Sequence, residues 1–304
     1  MSAGVSMRSP STRIVGSLVA AGVAIAVLIP LRAQVAKADN NITPVYEGWV
    51  PNADGSFELM FGYLNREWDE EVSIPVGPNN NMEPGGPDLG QPAHFLPRRN
   101  RFVFTVHVPK DFGKKEIVWT LTSKGRTDKA YATLKNDYVL DDTVIMSNIG
   151  AGGALSTSPD MVGNKAPVLN VEGPKTRTAK VGEALALAAV ATDDGKPNKR
   201  NMPAILGGNY ILPQTANGLR LSFFVYRGTG NAVTFDPPQT KVWEDTRDGG
   251  GSPWSAGWIV PPIPEGNKWQ ARATFAEPGT YVIRALAHDG GLFSSQDVTV
   301  VVSK

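Results

Sequence analysis

The chain has 304 residues, 30 basic and 29 acidic side chains, a formal net charge of +1, and no cysteine. This charge balance excludes a strongly basic nucleic-acid-binding protein and a protein drawn to anionic membranes by charge. Without cysteine, the chain has neither a disulfide framework nor a thiolate metal site. Its 32 glycines and 24 prolines favour many short strands joined by turns.

The N-terminus has the pattern of an export signal. Arg8 and Arg13 precede an uncharged, mostly apolar run over residues 14–29, which is shorter than the about 20 residues of a membrane-spanning helix. Ala36-Lys37-Ala38 fits a cleavage site, so we expect a signal peptide over residues 1–38. The mature chain would then have no stable membrane span and would be periplasmic, cell-surface or secreted in a bacterium. The alternative is an uncleaved N-terminal anchor.

Residues 39–140 are predicted to form a first antiparallel β-sandwich. Short β-rich runs such as Ser56–Asn65 and Arg101–Val108 follow one another, and Asp54-Gly55 between two of them is typical of a hairpin turn. This part of the chain resembles only uncharacterised exported bacterial proteins.

The segment from Gly77 to Asn100 contains five prolines and has no apolar periodicity. Long loops in compact domains are usually functional or disordered. Asn80, Glu83 and Asp88 offer oxygen ligands, and Arg98 and Arg99 are suited to anions, so these five residues are candidate ligand-binding residues. The alternative is a proline-stiffened surface loop whose polar residues form turns.

Residues 141–165 read as a Gly/Ser/Pro-rich linker between two domains, flexible at least in part. Residues 166–304 are predicted to form a second sandwich. In ATFAEPGTYVIRALAHDG, Pro278-Gly279 forms a corner, and Tyr281 opens a strand whose side chains alternate between two faces. A tyrosine at this place in the penultimate strand is typical of Greek-key sandwiches.

The second sandwich resembles a known group of repeats in VGEALALAAVATDDG, FAEPGTYVIRALAHDGG and the terminal VTVVV. These segments are similar to bacterial immunoglobulin-like and polycystic-kidney-disease-type repeats. The Trp-Asp-Phe-Gly-Asp-Gly centre of the latter is replaced here by LSFFVYRGTG. The resemblance implies an immunoglobulin-like Greek key. The predicted fold class is therefore all-β, with two antiparallel β-sandwich domains after a signal peptide.

The same topology predicts a cluster of acidic side chains. The second and the penultimate strands of such a sandwich run towards the same pole, which brings Asp193 and Asp194 near Asp289. Crowded carboxylates repel one another unless a cation neutralises them, so Ca²⁺ is the one cofactor that the sequence suggests. The alternative is that each Asp-Gly pair only forms a turn.

Trp243, Trp254 and Trp258 lie in an insertion that is rich in proline and glycine. Exposed tryptophans stack on sugar rings or anchor a protein partner, which makes these three residues candidate ligand-binding residues. The alternative is that they cover a sheet edge or fill a small satellite core.

The sequence contains no catalytic motif. His94, His107 and His288 are its only histidines and lack metal-ligand spacing, and no nucleophile-elbow pattern occurs. We therefore predict a non-catalytic exported protein that binds an envelope polysaccharide or another extracytoplasmic protein, and no nucleic acid. The alternative is an accessory or hydrolytic enzyme acting on extracytoplasmic polymers, since two catalytic carboxylates can lie far apart in sequence.

Overall fold

A computed structural model describes residues 40–149, 161–198, 217–255 and 258–304. The predicted signal peptide and the middle of the predicted linker lie outside these ranges. Within them the chain is almost entirely β-structure in several antiparallel sheets, which confirms the predicted fold class. No helix in the described ranges has the length and apolar character needed to cross a membrane.

The first sandwich is built from antiparallel strands in two main sheets and one short pair. The first sheet has the order β1-β2-β6, with β1 (Ile42–Pro51), β2 (Phe57–Asn65) and β6 (Arg98–Val108). The second has the order β4-β7-β8, with β4 (Asn80–Glu83), β7 (Ile117–Ser123) and β8 (Arg126–Ala132). The short strands β3 (Val72–Ser73) and β5 (His94–Phe95) pair with each other.

Aromatic rings fill the space between the two main sheets of the first sandwich. Trp119 is completely buried, and its ring meets those of Phe61 and Phe104 edge-on at 6.1 and 5.0 Å. The indole N–H donates to Oδ1 of Asn80 over 2.9 Å, so the ring's only polar group has a partner inside the core.

The second sandwich has two four-stranded sheets. One has the order β13-β14-β11-β9, with β9 (Val168–Val171), β11 (Ala184–Thr192), β13 (Val233–Asp236) and β14 (Lys268–Phe275). The other has the order β10-β16-β15-β12, with β10 (Thr176–Lys180), β12 (Arg220–Arg227), β15 (Gly279–His288) and β16 (Phe293–Ser303). Apart from β10, which runs parallel to β16, this arrangement matches the two sheets of an immunoglobulin constant-type domain.

The predicted tyrosine corner is present at the start of β15. The Tyr281 hydroxyl donates to the backbone oxygen of Glu277 over 2.9 Å, and its ring lies 4.9 Å from that of Phe275. Tyr281, Ile283, Ala285 and Ala287 form the buried face of the strand. The second sandwich is therefore immunoglobulin-like, while the finer resemblance to polycystic-kidney-disease-type repeats stays a prediction.

The start of the predicted linker is a helix, which the sequence analysis did not anticipate. The helix α1 (Asp142–Ile149) begins after Asp141, whose carboxylate accepts a hydrogen bond from the Val144 N–H over 2.8 Å. Its apolar residues Ile145, Met146 and Ile149 are buried. The helix is short and has only this narrow apolar side, so its sequence gives little periodic signal.

The α1 side chains belong to an apolar cluster that joins both sandwiches. They pack with Phe102 from β6 and with Leu292 and Phe293 at the start of β16. The rings of Phe102 and Phe293 are 6.2 Å apart. Contacts of this kind hold Ala38–Lys304 together as one compact unit.

Candidate functional site

The two sheets of the second sandwich differ on their outer faces, because the first sandwich packs against one of them. On β12 and β15, the residues that alternate with the core residues point away from the core. Tyr226, Arg284 and His288 are among these outward residues, yet they are 3%, 9% and 9% exposed. The outer side of this sheet is therefore also buried over β12 and β15, against the first sandwich, while outward residues of β10 and β16 such as Thr178 and Val301 are exposed.

Arg284 is the central polar contact of this interface. Its guanidinium binds Asp297 through two hydrogen bonds of 2.7 and 2.9 Å and donates a third to the backbone oxygen of Val103 in β6. It also lies 3.4 Å from the ring centre of Tyr226. A buried guanidinium with all these partners ties the two sandwiches together.

Asp88, a predicted ligand-binding residue, takes part in the same interface. Both of its carboxylate oxygens accept hydrogen bonds from Arg227 of the second sandwich, at 2.8 and 2.9 Å. The Arg227 hydrogen bonds hold the pKa of Asp88 below its usual value. Arg227 also donates to the backbone oxygen of Gln91, so the loop predicted to recognise a ligand docks on β12.

The other predicted residues of this loop have different surroundings. Asn80 is completely buried, and its amide group donates to Ile74 and Pro92 backbone oxygens over 3.0 and 2.7 Å. Arg99 is bound to Glu47 by two hydrogen bonds of 2.7 Å. Glu83 is exposed at the end of β4. Of these three residues, Glu83 alone has a charged group that is exposed to solvent and makes no described hydrogen bond or ion pair.

Arg98 stacks on Trp68 together with an arginine of the second sandwich. Its guanidinium lies 3.9 Å from the Trp68 ring centre, and that of Arg247 lies 5.0 Å from it. Arg247 binds Asp69 over 2.9 and 2.8 Å and the buried Asp245 over 2.8 Å. The hydrogen bonds from Arg247 hold the pKa of Asp245 far below its usual value. The insertion of the second sandwich is thus anchored on the first.

The three predicted binding tryptophans of this insertion are half-buried. Trp254 packs on the α1 cluster and donates to the Ile149 backbone oxygen over 3.4 Å. The guanidinium of Arg220 lies 5.6 Å from the Trp258 ring centre, and the Lys241 ammonium lies 5.4 Å from that of Trp243. These contacts within the chain favour the structural alternative for Trp254.

A cavity of about 80 Å³ lies between the sandwiches, lined by Phe102, Tyr226, Leu286, His288 and Trp254 among others. Burial lowers the pKa of His288 well below its usual value. Because the Gly290 N–H donates to Nδ1 over 2.8 Å, the neutral ring carries its hydrogen on Nε2. The cavity has room for a few water molecules, but it is small for an organic ligand.

The predicted acidic pole contains one buried carboxylate and two turn residues. Asp289 is completely buried and accepts hydrogen bonds from the N–H groups of Gly291 and Leu292 and from Asn164. Burial raises its pKa to about 6. Asp193 and Asp194 accept hydrogen bonds from the N–H groups two residues ahead of each. Among the described residues, no group of three or more acidic or histidine side chains is placed to hold a metal ion, and calcium binding stays a prediction.

A short hydrogen-bond chain, which the sequence analysis missed, reaches from the first sandwich to the second. Glu71 lies 2.8 Å from Nε2 of His94, and the Ser73 hydroxyl lies 3.0 Å from Nδ1 of the same ring. Ser73 also donates to the backbone oxygen of Gly228 over 3.1 Å. The residue types are those of a nucleophile relay, but acyl transfer needs hydrogen-bond donors beside the hydroxyl, and Gly228 places a carbonyl oxygen there. The only indication in the sequence was that Glu71 and Ser73 are two residues apart, a spacing that places both side chains on the same face of a strand.

The opposite sheet of the second sandwich carries an open groove of about 760 Å³ on its outer face. Its floor includes Ala186 and Ala188 of β11 and Gln270 of β14. Its charged lining residues are Glu172, Arg177, Asp236 and Arg272. Arg177 donates to the backbone oxygens of Pro174, Ala186 and Glu172, which fixes one wall. We name this feature the outer groove.

Comparisons with known proteins find no matching family model and no matching curated protein. Among solved structures, immunoglobulin domains 1–4 of Sidekick-1 are similar at 10% identity and a TM-score of 0.24, covering 88% of this chain and 51% of that one. The Yersinia pseudotuberculosis adhesin InvE is similar at 10% identity and a TM-score of 0.23, covering 86% of this chain and 60% of that one. The fibronectin(III)-like modules of Clostridium thermocellum CbhA are similar at 12% identity and a TM-score of 0.22, covering 86% of this chain and 94% of that one.

The chain thus spans between half and two thirds of the length of the first two structures. TM-scores of this size carry no argument about overall fold or function. The immunoglobulin-like assignment rests on the strand order and the tyrosine corner of this chain.

Proposed function

We propose that the protein is a non-catalytic binding protein that acts outside the cytoplasm and holds an extended segment of a protein partner in the outer groove. The observation that carries this proposal is the contrast between the two sheets of the second sandwich. The first sandwich covers the outer face of one sheet over β12 and β15, and the other sheet keeps a large open groove.

The chemistry of the outer groove supports a polypeptide rather than a polysaccharide. Sugar rings are usually held by aromatic stacking, and none of the described residues that line the groove is aromatic. The alanine floor lets a backbone approach closely, and Gln270 offers an amide that donates and accepts. Two acidic and two basic lining residues balance each other, which disfavours a strongly charged polymer.

Blocking the groove tests this proposal. Ala186 is exposed and points outward from β11, so Ala186→Arg fills the groove without entering the core. Ala184→Arg is the matched control, because Ala184 is exposed on the same face of the same strand. A phage-displayed dodecapeptide library and a glycan array are each screened against the wild-type protein and both variants.

We expect a group of selected peptides whose affinity falls at least about tenfold with Ala186→Arg and is unchanged with Ala184→Arg, a loss of about 1.4 kcal/mol in binding free energy. Glycan binding that Ala186→Arg abolishes would assign the groove to a polysaccharide. Peptides that bind both variants as well as the wild type would overturn the groove as the binding site.

Export is the second part of the proposal, and it rests on the sequence of residues 1–38. We expect a mature protein that begins at Asp39, the residue after Ala36-Lys37-Ala38. Mass spectrometry of the protein recovered from a bacterial envelope fraction measures this directly. An intact N-terminus in the membrane fraction would instead support the uncleaved anchor.

A further inference from the structure

A proline-rich segment lies shortly before β14 in the second sandwich. Residues 258–264 have the sequence WIVPPIP and form neither helix nor strand. Proline fixes its own φ at about −65°, and the residue before a proline is disfavoured in the helical region. The three prolines therefore favour an extended, polyproline II conformation over residues 260–264. Pro264 has a φ of −67° and a ψ of 160°, which agrees with this expectation.

One side of this segment is attached to the sandwich. The Val260 side chain is only 7% exposed. Together with Pro261 and Ile263, it lines a cavity of about 210 Å³ that Leu219, next to β12, also lines. Val260 therefore holds the segment on the surface of the sandwich.

The other side of the segment is apolar and exposed. A polyproline II helix has about three residues per turn, so Ile259 and Pro262 lie on one edge. Ile259 is 76% exposed, more than any other large apolar side chain of the described ranges, and Pro262 is exposed as well. Neither of these two residues lines the cavity. Burial within the fold therefore does not explain why this edge is apolar.

The backbone of the segment offers hydrogen-bond acceptors. Prolines have no N–H group, and no described residue donates to the carbonyl oxygens of residues 259–263. A polyproline II helix makes no internal hydrogen bonds either. Grooves lined by aromatic side chains recognise this combination of apolar rings and free carbonyl oxygens. Tryptophan and tyrosine supply both a ring face for a proline and a donor for a carbonyl oxygen.

We propose that residues 259–264 dock on a protein partner whose aromatic side chains form a groove for a polyproline II helix. Val260 and the prolines hold the segment in the bound conformation already, so binding costs little conformational entropy. A lipid surface fits less well, because carbonyl oxygens without hydrogen bonds are costly in hydrocarbon. The segment shares no residue with the outer groove, so this proposal does not depend on the function proposed for the groove.

Binding to domains that recognise polyproline II helices tests the proposal. The full mature chain is titrated with an SH3 domain, a WW domain and an EVH1 domain as probes, since each has an aromatic-lined groove. We expect at least one of them to bind with a dissociation constant below about 1 mM. Pro262→Ala and Ile259→Ser should each weaken this binding at least about fivefold, because each removes a side chain of the exposed edge.

Pro109→Ala is the matched control. Pro109 is an exposed proline directly after β6 in the first sandwich, and its replacement should leave binding of the probes unchanged. All three variants change exposed side chains, so they should keep the fold, which their ¹⁵N–¹H spectra check. Binding by none of the three probes would overturn the proposal, and so would binding that Pro262→Ala and Ile259→Ser leave unchanged.

Two further measurements test the order of the segment and the class of its partner. The order parameters of the Ile259, Val260 and Ile263 amides in the free protein should be about 0.85, as for rigid backbone, and values below about 0.6 would contradict a preformed segment. Cosedimentation with phosphatidylglycerol vesicles is the second measurement, and we expect none that depends on Ile259. Cosedimentation that Ile259→Ser abolishes would assign the segment to a membrane surface and overturn the proposed protein partner.

Discussion

The two outer faces of the second sandwich differ in the side chains that alternate with the core. On the covered sheet, the outward residues of β12 and β15 are large or charged, such as Phe224, Tyr226 and Arg284, and they are buried or half-buried. On the open sheet, the outward residues of β11 and β14 include Ala186, Gln270 and Arg272, all exposed. Both sheets have a regular buried inner face.

This difference shows where the information about a neighbour lies in a sandwich sequence. The inner positions only specify that two sheets pack on each other. The outward positions distinguish a covered sheet from an open one, because large apolar side chains stabilise the folded protein only when they are buried from water. The outer groove can therefore be a free binding surface, while the other face belongs to the interface.

The largest expected effect is the difference in stability loss between removing an outward arginine of the covered sheet and removing one of the open sheet. Arg284→Ala leaves Asp297 and the Val103 oxygen without their partner, and we expect the free energy of unfolding to fall by about 3 kcal/mol. Arg272 and Asp236 form the matched pair on the open sheet, with side chains 67% and 69% exposed. Arg272→Ala should cost less than about 0.5 kcal/mol.

Chemical denaturation of both variants measures these losses. Equal losses for Arg284→Ala and Arg272→Ala would mean that the two outer faces are equally accessible to water, which contradicts the covered interface.

The next effect concerns the buried Asp289 at the end of β15. Its pKa in the folded protein, about 6, is above the ordinary value of 3.8, so folding favours the neutral carboxyl. The resulting stabilisation, at most about 3 kcal/mol, is fully present below about pH 4 and is lost as the pH rises through 6. Asp289→Asn should remove this part of the pH dependence, because an amide does not titrate in this range. The amide oxygen can still accept the hydrogen bonds from Gly291 and Leu292.

Denaturation midpoints at pH 4.5 and 7.5 measure the effect, with Asp194→Asn at the exposed turn as the control. A pH dependence that Asp289→Asn leaves intact would show that this carboxyl is not buried in the folded protein.

The smallest expected effect is the reaction of Ser73 with a fluorophosphonate probe. We expect no labelling above background, because the hydroxyl donates to the Gly228 oxygen, which places a carbonyl where an oxyanion would need a hydrogen-bond donor. Peptide mapping by mass spectrometry measures this, with a serine hydrolase as the positive control. Labelling of Ser73 that is lost in His94→Gln would support the hydrolytic alternative.

Much of the fold was predictable because strand alternation is a local property. A period-two pattern located β15, and the Pro278-Gly279 corner placed Tyr281 correctly. The short strands β3, β4 and β5 were harder, since two to four residues contain hardly one period. The helix α1 was missed for a similar reason, as its apolar side spans only two turns.

The interface was not predictable from one sequence because its pairs are far apart along the chain. Asp88 and Arg227 are separated by 139 positions, and Val103 and Arg284 by 181. Each of these residues alone is compatible with an exposed surface or a ligand site. The sequence therefore indicated that residues 77–100 have a special role, but it could not identify β12 as the surface on which they dock.

The most direct test of this account is a set of residual dipolar couplings from the mature chain, fitted separately for the first sandwich (residues 40–132) and the second (residues 168–303). If the first sandwich is fixed on the β10-β16-β15-β12 sheet, one alignment tensor should fit the couplings of both. Two tensors of different magnitude and orientation would mean that the sandwiches move independently, which would contradict the covered face.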